Sequence, residues 1–407
     1  MRTEEGFLFR LYRQSKVYVN YLLDRVIDLC NLFLMDVYRI PWSTAQNIAR
    51  WVARWVGDIA CLLRAFPRLS TYRIEGRDCT IVFVGLPHDL LEVRNLFFPQ
   101  EEVCPQEVGR TALWQLSRRT QQWLADGADL VICQLCRIYP IRPWAPIHFT
   151  IPAWVHQVLA IPESPQSLIS GKSFATERHR LNKAQRDGFS YRFSQSNADF
   201  DHFHHHLYLP YVNTRHGERA LTGRYQDQWQ RWFVRGGLLL VTQHDEPVAG
   251  VLCYLANGTC FDVERGVLEV DPQLFRQGIE TMITWYAINW ARDQGAKIYN
   301  MGGSRSWRSN GSFNSKRHWG AKVVRYRRIY PTWTFLARDL PASLQEYINR
   351  LGFISEIGRG FYGVVLAKAE GTVEERDVSN ELMAAKEHGL DGLVVLSANA
   401  QPAVIRS

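Results

Sequence analysis

At 407 residues the chain exceeds one ordinary domain, and with 46% hydrophobic and 13% aromatic residues it can fill two or three buried cores. Such a composition, without repeats or biased tracts, excludes a disordered or low-complexity chain. The net charge of +8, with twelve further histidines, favours an anionic partner: a phosphate-bearing cofactor, a nucleotide, RNA or an anionic membrane surface.

The first residues lack a short basic region followed by an unbroken apolar run, so no signal peptide is predicted and the cytoplasm is the expected location. Residues 1–66 read as an N-terminal helical segment of two helices, roughly Phe7 to Tyr38 and Ser43 to Phe66, interrupted by Pro41. Polar residues at Asn20, Asp24, Asp28 and Asn31 give the first an amphipathic character rather than that of a membrane span. The second carries Trp51, Trp55, Arg50 and Arg54, a combination suited either to packing on the protein itself or to peripheral contact with an anionic membrane.

From residue 72 to about 160 the pattern becomes mixed. The apolar runs Thr80–Val84 and Leu130–Leu135 read as strands on either side of a helical stretch from Gly109 to Ala125. Cys133 and Cys136 share the spacing of redox and zinc motifs, but they lie within a strand-like run and have no second pair, so they read as core thiols. Prolines at 140, 143, 146, 152 and 162 mark a boundary near residue 160.

Residues 165 to 335 form the most informative stretch. Ser173 to Asp187 is predicted helical and carries Arg178, His179, Arg180, Lys183 and Arg186, with Gly188 as its stop. Its basic face could be solvated or could hold a nucleotide, a CoA phosphate or a tRNA backbone, although no RNA-binding motif accompanies it. Helix or loop fills Phe200 to Phe233, and three strands follow: Gly237 to Gln243, Val248 to Leu255 and Thr259 to Arg265. Their joints, Asp245-Glu246-Pro247 and Asn257-Gly258, have hairpin chemistry. A helix from Pro272 to Gln294, the strand Lys297 to Asn300 and the loop Met301 to Ser304 complete the order. Beyond 335, residues 336–407 read as a helical extension and tail that contain the apolar run Gly392 to Leu396.

Several features occur together in this stretch: the basic helix Lys172 to Gly188, Glu246 to Gly250, the helix ending at Gly295, the strand and loop Tyr299 to Ser304, and the segment Asn310 to Ala321. In that order they resemble the GNAT-like domain of the Fem-type aminoacyl transferases and of related acetyltransferases of cell-envelope and polysaccharide loci. The resemblance implies an α+β fold, a mixed sheet flanked by helices, with residues 72–160 as a diverged first unit of a tandem pair. It also implies an acyltransferase acting on an amine or hydroxyl of an envelope or polysaccharide precursor, with acyl-CoA as a candidate co-substrate. In this chain Ser315 precedes Lys316 where relatives commonly carry an aromatic, and the pyrophosphate loop is reduced to Arg276, Gln277 and Gly278.

Acyl transfer requires a cation or N–H donors aimed at a developing oxyanion, together with a route for a proton. Lys316 is the candidate cation, and the amides of Gly302, Gly303 and Ser304, with Gln277 and Gly278, are the candidate anion or cofactor contacts. Glu264 is the candidate proton acceptor, expected by strand alternation to share a face with Asp262. Tyr208, Tyr211, Arg215 and His216 are candidate substrate contacts. The run His202, His204, His205 and His206 diverges around a helix axis, and no metal site is predicted from it. The competing reading is an inactive GNAT-like scaffold that binds an anionic ligand or a membrane surface.

Overall fold

The computed structural model describes residues 69–135, 145–217, 225–325, 332–367, 375–397 and 400–406. The helices expected in residues 1–66, Cys136 and most of the proline-punctuated connection lie outside the described residues. Among the described residues no helix is long and apolar enough to cross a membrane.

In chain order the structure begins with β1 (Leu69–Glu75), β2 (Thr80–Gly85), α1 (Pro87–Phe97), β3 (Gln106–Thr111), α2 (Leu116–Ala125), β4 (Leu130–Leu135), β5 (Ile147–Pro152) and β6 (Trp154–Ala160). It continues with α3 (Ala175–Arg186), β7 (Phe189–Ser194), α4 (Asn197–His202), a π-helical turn Phe203–Tyr208, and α5 (Leu209–His216). Next come β8 (Gly237–Gln243), β9 (Glu246–Ala256), β10 (Thr259–Val267), α6 (Pro272–Gln277), α7 (Ile279–Asp293), β11 (Ile298–Arg305), α8 (Gly311–His318) and β12 (Lys322–Val324). The final elements are β13 (Thr332–Ala337), α9 (Ala342–Leu351), β14 (Ile354–Ile357), β15 (Gly360–Leu366), α10 (Glu375–Glu387), β16 (Gly392–Ser397) and β17 (Ala400–Arg406).

The chain divides into two compact units. One takes the described part of residues 1–154 with 305–310 and the residues after 324; the other takes Val155–Ser304 and Gly311–Val324. In the first unit a six-stranded sheet runs β3-β1-β2-β4-β13-β5, with β2 and β4 parallel. These two strands are apolar along nearly their whole length because both faces are covered. Ile81, Phe83, Leu130 and Ile132 enter one core, while the alternating Val82, Val84, Val131 and Cys133 enter another. A second sheet in this unit runs β14-β15-β16-β17. The described residues after Leu351 thus add four strands to the expected helices, and the apolar run Gly392 to Leu396 is an inner strand, β16.

The second unit is built on a seven-stranded sheet, β12-β6-β11-β10-β9-β8-β7. The hairpin turns follow their chemistry: Asn257 and Gly258 have φ of 50° and 69°, and His244 and Asp245 have 51° and 70°, as a two-residue turn that matches strand twist requires. The second turn therefore sits one residue earlier than the sequence suggested, and Glu246 and Pro247 open β9. The long predicted helix is broken at Gly278, where φ is +91° and a Cβ would meet the Arg180 side chain at 2.6 Å. The π-helical turn ends next to Pro210, which has no N–H to continue an ordinary ladder.

In each unit one inner strand comes from a part of the chain distant from its sheet neighbours. β6, from the first half of the sequence, lies between β11 and β12 of the second unit's sheet. β13, from the second half, lies between β4 and β5 of the first unit's sheet, bonded antiparallel to both. A chain beginning at residue 165 lacks β6. We expect it to lose the dispersed amide NMR spectrum of a folded domain, whereas a chain beginning at residue 69 keeps it.

Candidate active site

The site is assembled where two parallel strands part. β10 and β11 pair only from Thr259–Ile298 to Phe261–Asn300, although β10 continues to Val267 and β11 to Arg305. Just past this point β10 carries a β-bulge: Asp262 faces Cys253 and Glu264 faces Leu252, leaving Val263 as the extra residue. A bulge reverses the alternation of side chains beyond it. Asp262 and Arg265, three apart, therefore share one face, and Glu264 goes to the other. The expectation that Asp262 and Glu264 share a face is corrected by this inserted residue. Glu264 instead lies on the face of Gly266, where a Cβ would meet the Leu207–Tyr208 backbone at 2.5 to 2.8 Å.

Asp262 becomes the centre of a polar cluster. Its Oδ2 accepts from Arg265 Nε at 3.0 Å, from a second Arg265 nitrogen, and from the Tyr299 hydroxyl at 2.8 Å. Arg265 also donates to Thr284 at 3.0 Å and reaches Glu280 at 3.5 Å. Glu280, on the first turn of α7, accepts from Tyr211 at 2.5 Å and from Arg215 at 2.6 Å. Burial alone would raise the Glu280 carboxyl, but Arg265, Tyr211 and Arg215 outweigh it and hold the group below the usual carboxylate range. Burial, with Asp262 adding to it, raises the Tyr299 phenol well above its ordinary value, so it stays a donor.

Lys316 approaches from α8. Phe313 is fully buried, and Lys316 one turn later shares its inward face. Trp319, buried against Phe174, and the left-handed Gly320 end the helix and fix its position. Lys316 is half-buried, and its Nζ donates to the Gly303 carbonyl at 2.7 Å. Burial draws its ammonium down from 10.5 to about 7; Arg265 adds to the fall and Asp262 opposes it. A lysine in this state changes charge near neutral pH.

The remaining sequence candidates are placed as follows. Met301 to Ser304 continue β11 and do not form a loop. The Gly302 amide is taken by Asn300 Oδ1 at 2.9 Å, the Gly303 carbonyl points at Lys316, and Ser304 is buried with its hydroxyl on Gln157. Of the three amides expected to form a nest, that of Gly302 is therefore already given to a side chain of its own strand. Gly302 has φ of +78°, and a Cβ there would stand 3.4 Å from the Asp262 carbonyl and 4.0 Å from Lys316 Nζ, so only glycine leaves this space open. Gln277 and Gly278 lie at the α6–α7 break beside Arg180 and outside the hydrogen-bonded cluster around Asp262.

Tyr211 and Arg215 join the cluster, whereas Tyr208 is fully buried among Phe203 and His204 and is a core residue. His216 ends α5, and its side chain lies outside the described residues. On α3, Arg178 is committed to the Gly171 and Ile169 carbonyls and Lys183 to Asp187, leaving a thinner basic face than the sequence suggested. Among the described residues no three His, Cys, Asp or Glu side chains group as metal ligands. The sequence reading missed Arg265, Glu280 and Tyr299. The one available signal was the pair of opposite charges three apart on a strand, which can meet only across a bulge.

Sequential antiparallel strands, a parallel pair that parts, and flanking helices make the second unit an α+β fold with a mixed sheet. The first unit repeats the parallel pair and sets beside it a strand distant in sequence, with β3 placed outside β1. No family model matches the chain, and no curated protein does. Among solved structures it is similar to L-PGS from Bacillus licheniformis, at 14% identity over 70% of this chain and 86% of that one, with a TM-score of 0.33. It is likewise similar to FemX, at 12% identity over 72% and 93% with a TM-score of 0.35. A third similar structure is a GCN5-related N-acetyltransferase from Kribbella flavida, at 15% over 72% and 97% with a TM-score of 0.25.

The depressed Lys316 has a consequence for stability. Between about 7 and 10.5 the unfolded chain binds a proton at this lysine that the folded chain does not, so this group makes stability rise with pH across that window. Below the window the charged, half-buried lysine carries its full cost. Lys316→Met should remove that slope and raise the unfolding free energy near pH 6 by up to about 2 kcal/mol, discounted for partial exposure. Denaturant titrations of both proteins at pH 6 and pH 9 measure the difference.

Proposed function

We propose that the protein is an acyltransferase that moves an acyl or aminoacyl group from an activated donor to an amine or hydroxyl of a cell-envelope or polysaccharide precursor. The observation that carries this reading is Lys316: a half-buried cation held beside the parting of β10 and β11 and next to a glycine that keeps the approach clear. When the acceptor attacks the donor carbonyl, negative charge develops on its oxygen. The Lys316 ammonium can donate to that oxygen in surroundings where such a bond is worth more than in water. Collapse of the tetrahedral state then releases the thiolate or alkoxide, and the acceptor's proton leaves with it.

The cluster serves the lysine. Asp262 supplies negative charge that favours the ammonium, and Arg265 and Tyr299 hold that carboxylate in place. Arg215, whose side chain is 52% exposed, can take an anionic group of a substrate while Tyr211 and Glu280 orient it. The register separates Glu264 from this face, so the proposed chemistry gives it no proton to move. An acyl-CoA thioester is one candidate donor and an aminoacyl ester another. The cytoplasmic face of a membrane is the proposed place of action.

The test is a transfer assay with a panel of acyl-CoA thioesters and aminoacyl donors against amine and hydroxyl acceptors, run across pH. The charged lysine is the working form, so the rate should fall as pH rises through about 7, and Lys316→Met should lose about two to three orders of magnitude in kcat. A rate that rises through the same interval would make the neutral amine the working form. Anion binding without transfer from any donor would leave the scaffold reading standing instead.

A further inference from the structure

The strand contributed from the first half of the chain brings an unusual residue into the second unit. On β6 the buried row is Val155, Gln157 and Leu159, so a carboxamide stands where the alternation calls for a third apolar side chain. Gln157 is fully buried, and a buried carboxamide is costly unless its donor and acceptor are both met. Both are. Its Oε1 accepts from Ser304 Oγ at 2.9 Å, and its Nε2 donates to the Phe313 carbonyl at 3.1 Å.

We propose that Gln157 is a positioning residue for Lys316, its carboxamide fixing α8 against β11 and so setting where the lysine ammonium stands. Ser304 directly follows Gly303, whose carbonyl receives Lys316, and Phe313 lies one helical turn before Lys316. The carboxamide thus ties together the two pieces of backbone that define the ammonium's place: the strand that accepts its hydrogen bond and the helix that delivers it. An apolar residue at 157 would fill the volume but would leave α8 free to slide or turn against β11. A shift of about 1 Å is enough to cost a site on the order of a hundredfold in rate. The inference rests on Lys316 being the working cation, but its test does not require transfer activity.

The charged groups around the ammonium are Asp262 and Arg265 from β10. Lys316's own helix adds Arg317 and His318, the latter turned to Glu177 of α3 at 3.2 Å. The experiment uses the full chain, labelled in trace amounts with acetic anhydride across a pH series, and reads acetylation of the Lys316 peptide by mass spectrometry against surface lysines. In the wild type the Lys316 midpoint should lie near 7. Gln157→Met and Ser304→Ala should each move it upward by about one pH unit or more, as the ammonium regains water.

A variant that unfolds at lower temperature but keeps the wild-type midpoint would show a merely structural role and overturn the proposal. Should Gln157→Met fail to fold, Ser304→Ala alone decides, because it removes one bond and leaves the carboxamide in place. Midpoints that move in a protein with no transfer activity would keep Gln157 as the positioning residue and defeat the acyltransferase reading instead.

Discussion

The second unit is organised around one inserted residue. Were β10 regular, with Val263 in register rather than bulged, Asp262 and Arg265, three apart, would face opposite sides of the sheet, and a carboxylate and a guanidinium would each need a separate partner in a buried layer. The bulge turns them to one face, where the pair is completed by Tyr299, Thr284 and Glu280. Every strong donor in this group has an acceptor, which makes so much buried charge tolerable. The result is a fixed electrostatic field beside the place where Lys316 enters, set by strand register and not by a mobile loop.

The inner strand β6 helps so short a helix hold its half-buried lysine in place. α8 spans only Gly311–His318, and its few contacts could not by themselves fix an ammonium to within an ångström. It is held by Phe313 in the core, by Trp319 against Phe174, and by the carboxamide of Gln157. The last comes from a strand more than 150 residues earlier in the chain. Long-range pairing of this kind is slow to form because loop closure precedes the contacts that reward it.

Much of the second unit was legible in the sequence because local chemistry spoke for it. The Asn257-Gly258 turn, the apolar run of β8 and the glycine at the end of α3 each specify their structure within a few residues. Lys316 and the pair Tyr211 and Arg215 were also visible, since they stand in segments with a recognisable order. The inner placement of β6 and β13 was not visible, because an apolar strand looks the same whichever neighbours receive it. The bulge was hidden for a related reason: alternation counts residues, and a single inserted one leaves every later prediction on the wrong face. That is how Glu264 came to be chosen over the Asp262 cluster. Tyr208 failed differently, since an aromatic within a polar segment gives no sign of whether it packs or binds.

Burial and Arg265, against the pull of Asp262, keep Lys316 partly neutral near physiological pH. The most direct measurement is an NMR titration of protein labelled with ¹⁵N-lysine, with the Lys316 resonance assigned by its loss in Lys316→Met. A midpoint near 7 for this lysine is the predicted result. A Lys316 that titrates with the surface lysines would contradict the account.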